Sequence, residues 1–296
     1  MFFLDKWGVF VDFRTDLAIE IRESLNGKIQ NGIKTESFRQ NGVDVTKIKI
    51  INPEGAKAIG KPEGTYITAE IPDLTKYSCA DEEILSLLGN LLNNLLPREG
   101  VVLTVGLGNE NITPDALGPL SCSMILATRH ISHELAKSVG LENLRPSAVQ
   151  SPGVLGQTGV ESAEIIKGIV RQIKPGAVIV VDALAARKLS RLGRTVQMSD
   201  TGIIPGSGVG NSRAEISKET LGVPVISIGV PTVVDVGTLV HGIIGEHTHI
   251  DEEKQSMIIT PREIDLVIDR AARLVGMAIN KALQPNISAE EILMLL

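Results

Sequence analysis

The chain has 296 residues, with 29 Lys and Arg against 35 Asp and Glu, a formal charge of −6; 43% of it is hydrophobic and 22% charged. This balance excludes general disorder, and a net negative surface repels phosphate, which argues against direct nucleic-acid binding. Only 3% is aromatic, every aromatic residue precedes position 78, and Phe2, Phe3, Trp7, Phe10 and Phe13 crowd the start, so the remaining core must be aliphatic.

Residues 1–16 read as a separate apolar-aromatic tract, which Asp5 and Lys6 interrupt too early for a signal peptide. Residues 17–31 predict a helix or strand closed by a turn at Asn26-Gly27. The alternating stretches 43–51 and 64–71 predict half-buried strands, joined as a hairpin or small sheet by the turn-rich residues 52–64. Residues 81–96 open with acids, continue as a leucine stripe and stop at Pro97, the pattern of a helix.

From residue 100 the pattern changes. Continuous apolar runs at 101–108, 176–184 and 224–231 predict strands buried on both faces. Helices are predicted at 119–139, 161–174, around 211–220 and at 261–283. The alternation predicts an α/β fold: a doubly wound, mostly parallel sheet between helices, with small additional β elements near the N-terminus. No apolar run reaches the ~18 residues a membrane helix needs, so no membrane partner is expected. Cys79 and Cys122 lack a paired spacing and fit a reducing, cytoplasmic compartment.

Two aspartates stand where such a sheet binds ligands, beyond strand ends. Asp115 follows the first buried strand in Gly106-Leu-Gly-Asn-Glu-Asn-Ile-Thr-Pro-Asp115, and Asp182 follows the apolar run of the second. Each also reads as a helix cap. Together they can converge on one cleft, share a proton, and activate water or hold a metal ion. Position 111 is Asn, so the glycines before Asp115 do not complete a dinucleotide fingerprint. The glycine loops 151–162 and 201–215, the latter with Gly206 and Gly208, could bind an anion or a peptide carbonyl through backbone N–H groups, or simply turn the chain. Arg187, Arg191 and Arg194 fall at helical spacing; Arg187 is near enough to the cleft to contact an acidic substrate group, and the other two read as a solvated face. His247 and His249 beside acids form a weak metal pattern, and His130 and His133 lack zincin spacing.

The strings at 106–119, 151–161, 181–187, 200–211 and 222–235 resemble the germination protease family of spore-forming bacteria, over residues 10–240. The resemblance implies an endopeptidase made as a zymogen in the spore core, with small acid-soluble spore proteins as substrates at germination. It implies Asp115 and Asp182 as the catalytic pair, a homotetramer, and a fold shared with hydrogenase-maturation endopeptidases, which bind a metal at the corresponding strand ends. It also implies self-processing after an acidic residue and before an aliphatic one, which fits Asp16 and Leu17 and divides the chain into a propeptide (1–16) and a single α/β peptidase domain (17–296). An acid at that position would suit Arg187, with Gly206 and Gly208 as further substrate contacts. No cofactor is assigned; a metal ion at the pair stays open. The rival readings are a metal-dependent maturation-type endopeptidase and a non-catalytic anion- or peptide-binding module.

Overall fold

A computed structural model describes residues 2–4, 10–12, 15–25, 31–75, 81–138, 144–244 and 257–296; at 2–4, 10–12, 133, 135 and 241–244 it is the backbone that is described. Trp7, Phe13, the Asn26-Gly27 turn, Tyr77, Cys79, His247 and His249 lie outside the described residues. The strands, in chain order, are β1 (Phe2–Leu4), β2 (Phe10–Asp12), β3 (Ile33–Gln40), β4 (Val43–Ile50), β5 (Gly64–Glu70), β6 (Val102–Gly106), β7 (Ser147–Gln150), β8 (Ala177–Ala186), β9 (Thr195–Ser199), β10 (Val225–Asp235) and β11 (Ile258–Ile259).

β1 and β2 pair antiparallel as a ribbon of their own. The other strands form one sheet in the order β3-β4-β5-β9-β10-β8-β6-β7, with β11 on β10. The run β10-β8-β6-β7 is parallel, as the apolar runs predict. The alternating strands β4 and β5 pair antiparallel with each other, as predicted, but not as a sheet of their own. They extend the same sheet antiparallel through β9, a strand the sequence reading missed.

β8 shows how both faces are filled, because successive side chains point to opposite sides. Ile179 and Val181 pack against the helices Glu82–Asn93 and Ile264–Leu283, through Leu88, Leu92, Val275 and Ile279. Val178 and Val180 pack against Ile166 and Val170 of the helix Ser162–Ile173. Asp81 starts the first of these helices by accepting the N–H groups of Glu83 and Ile84 at 3.0 and 3.3 Å.

Three predicted elements differ. Residues 52–64 hold a short helix, Pro53–Ile59, because the Asn52 side chain accepts the Gly55 N–H at 2.9 Å and Pro53 is preset for a first turn. The helix predicted at 119–139 is two short pieces, Leu117–Cys122 and His133–Ser138, while Val139 lies outside the described residues. Around 211–220 only Lys218–Leu221 is helical.

Candidate active site

Asp182 neither ends a strand nor caps a helix, since β8 runs four residues further, to Ala186. It reaches an open edge because its neighbour is shorter: β6 stops at Gly106, paired with Val181. On its other side Asp182 pairs with Gly229 of β10. Asp115 ends the short turn Thr113–Asp115 just beyond β6. Glycines make that placement possible by packing. A Cβ on Gly118 would overlap the Leu107 backbone, and Gly108, at φ +112°, has the Asp115 carbonyl where its own Cβ would stand. The Asp115 turn is pinned from the sheet as well. Thr232, where the register of β10 shifts against β8, donates its hydroxyl to the Pro114 carbonyl at 2.8 Å.

The two aspartates line one cleft of about 340 Å³, together with Gly206, Gly208 and Asp16. Burial pushes the Asp115 carboxyl above its ordinary range, against the pull of an Asn109 N–H donated at 2.8 Å. Asp182, 6% exposed, is raised further, first by burial and then by the negative charges of Asp115 and Asp16, with one opposing N–H from Ala183 at 3.0 Å. Like charges in a desolvated cleft favour keeping a proton, and both carboxyls are shifted in that direction.

Asp16 forms part of the cleft wall. Its N–H donates to the Ala185 carbonyl at 2.9 Å, and its carboxylate accepts the Ala185 N–H at 2.8 Å and the Ser207 hydroxyl at 3.0 Å. Its own carbonyl accepts from Gln197 Nε2 at 2.8 Å, while Gln197 Oε1 accepts the Ala18 N–H at 2.8 Å. One side chain of β9 thus brackets the Asp16–Leu17–Ala18 backbone. The two bonds require opposite ends of the amide, so they fix its orientation.

The chain after Asp16 is bolted down. Leu17 is 0% exposed, among Ile48, Ile50, Tyr66 and Leu184. Glu20, 2% exposed, accepts the N–H groups of Arg187 and Lys188 at 2.6 and 3.0 Å and lies 3.4 Å from Arg191. Arg191 also reaches Glu23 at 2.7 Å and Glu70 at 3.1 Å.

The predicted arginines need correcting. They share no α-helix, because β8 continues through Ala186 and only a single 3-10 turn, Leu189–Arg191, follows. Arg191 is buried, 6% exposed, and not on a solvated face; Arg194 is half-exposed and bridges to Asp73 at 2.6 Å. Arg187 lines a neighbouring cavity of about 520 Å³ that Asp16 also touches, yet it donates to Ser24 at 2.8 Å, and the Asp16 carboxylate is bonded to Ala185 and Ser207 instead. Gln197 and Ser207 escaped the sequence reading: one sits in an unrecognised strand, and the other was passed over for its glycine neighbours. Among the described residues no three His, Cys, Asp or Glu side chains converge to hold a metal ion. His130 is exposed.

A protein-family profile described as Germination protease matches residues 14–249. A germination protease of Caldanaerobacter subterraneus subsp. tengcongensis is 42% identical, covering 97% of this chain and 99% of that protein. One from Clostridium acetobutylicum is 40% identical, covering 94% and 97%. A solved hydrogenase maturation protease, HycI of Thermococcus kodakarensis, aligns at a TM-score of 0.35 with 17% identity, covering 64% of this chain and 98% of that one. No helix among the described residues is long and apolar enough to cross a membrane. By the profile and by identity along nearly its whole length, the chain belongs to the germination protease family.

Proposed function

We propose that this chain is an endopeptidase whose Asp115–Asp182 pair activates water, made with residues 1–16 as a propeptide ahead of a single peptidase domain (17–296), and that it cuts itself between Asp16 and Leu17. The observation that carries this reading is the seat of Asp16 in the wall of the cleft that contains both aspartates. An acidic residue followed by an aliphatic one lies in the chain's own cleft, its carbonyl held by Gln197.

Asp115, the less buried carboxyl, serves as the ionised base and takes a proton from water. The water oxygen bonds to the Asp16 carbonyl carbon. The proton of Asp182 and the Gln197 amide stabilise the developing oxyanion. The C–N bond to Leu17 then breaks, and the proton held by Asp115 passes to the leaving amine. Residues 1–16 leave, and Leu17 becomes the new terminus of a segment that stays bolted to the body.

The family's name supports proteolysis at germination; small acid-soluble spore proteins as substrates, the spore core as the place and a homotetramer as the working form rest on the motif resemblance alone. Incubating the full chain alone, and then with such a substrate, should give by mass spectrometry a chain beginning at Leu17 and substrate fragments ending in acidic residues. The cut would also remove Trp7, the only tryptophan, and with it the tryptophan fluorescence of the purified product. Substrate held but returned intact would overturn the reading in favour of a binding module.

A further inference from the structure

The bonds around Asp16 assign a role that Arg187 was expected to fill. We infer that the acidic side chain before the cut is read by the Ser207 hydroxyl and the Ala185 N–H, in a subsite that Gly208 leaves open. The inference rests on the proposed cut after Asp16.

The geometry is that of a strand contact with one substitution. Asp16 gives its N–H to the Ala185 carbonyl, as a paired strand would, but the Ala185 N–H is taken by the Asp16 carboxylate. Where a ladder accepts any residue, this contact demands a short side chain ending in an acceptor. The second carboxylate oxygen takes the Ser207 hydroxyl at 3.0 Å. A Cβ on Gly208 would overlap the Asp16 carboxylate and crowd Ala185, so a glycine is required for the side chain to be seated at all. Two neutral donors suit a cleft that already holds Asp115 and Asp182. An arginine there would neutralise the pair and remove the shared proton, whereas an N–H and an O–H bind the carboxylate without adding charge. The subsite therefore takes peptides with an aspartate before the cut.

The test is a double-mutant cycle in the full chain, reading the rate at which a product beginning at Leu17 appears. Losing one hydrogen bond to a charged group corresponds to about tenfold or more. Ser207→Ala should slow the cut by about that factor in the parent chain, and Ser207→Thr, which keeps the hydroxyl, should restore most of it. Asp16→Ala should slow the cut too, and adding Ser207→Ala to it should cost nothing further. Effects that multiply, or a Ser207→Ala chain that cuts at the parent rate, overturn the subsite while leaving the cut itself in place. If the parent does not cut between Asp16 and Leu17, the proteolytic reading and the subsite fall together.

Discussion

The two halves of the sheet differ in pairing and in what they hold. The parallel half, β7-β6-β8-β10, presents Asp115 and Asp182 beyond the short strand β6. The antiparallel half, β3-β4-β5-β9, supplies Gln197 from β9 and Glu70 from β5, which grip the segment around Asp16 directly or through Arg191. One half is arranged for chemistry, the other for holding the chain on which that chemistry is proposed to act. The parallel strands β6, β8 and β10 are buried along nearly their whole length, so polar atoms become accessible chiefly where a neighbour such as β6 stops. The antiparallel strands place polar side chains along their length, where an extended segment can lie across them.

The comparison breaks first at the aspartates. Asp115→Asn or Asp182→Asn should slow appearance of the Leu17 product by about 10³-fold or more, the scale of a lost general acid or base. The fold should survive, with a melting temperature at pH 7 no lower than the parent's, because burial opposes the charged form of each. Activity near the parent level in either variant would refute the division.

Next in size is Arg191, which the antiparallel half needs. Arg191→Met leaves Glu20 buried without its counter-charge and should cost about 3–5 kcal/mol in denaturant unfolding. A loss below 1 kcal/mol would mean that the bolt does not hold. Gln197→Ala should slow the cut by about 10²-fold, through the donor lost from the Asp16 carbonyl, while the midpoint of unfolding moves much less. An equal loss in stability and rate would make Gln197 a packing residue only.

The smallest effect is in pH dependence. A carboxyl raised above its unfolded value makes the folded chain bind the extra proton, so stability falls as pH rises from about 3.8 through the raised value. Asp182→Asn should flatten that slope in melting curves taken across acid to neutral pH. An unchanged slope would place the proton elsewhere.

The parallel half was readable in the sequence because continuous apolar runs have one meaning in a long chain: strands covered on both faces. Asp182 stands at an open sheet edge, as its position after the apolar run predicts, but it is the early end of β6 that leaves it there, since β8 itself ends later. Of the antiparallel half only β4 and β5 were readable as strands, and not as part of the same sheet; β3 and β9 were not predicted. The join is β9, Thr195–Ser199, whose fully buried alternation of polar and apolar residues carries no local signal of its partners. Arg191 differs from its expected solvated face because spacing alone cannot tell a solvated arginine from one that lies in a nest of carboxylates.

The bolting of Leu17 and Glu20 has a consequence for concentration. While the chain is whole, Asp16 is held in the cleft by covalent attachment, and its bonds to Ala185, Ser207 and Gln197 need supply little affinity of their own. After the proposed cut the same bonds join two molecules, and occupancy of the seat becomes a matter of dilution. A freshly cut sample kept concentrated would remain partly blocked by its own released peptide, and simple dilution or dialysis would raise its specific activity. A specific activity independent of protein concentration would show that the peptide leaves at once.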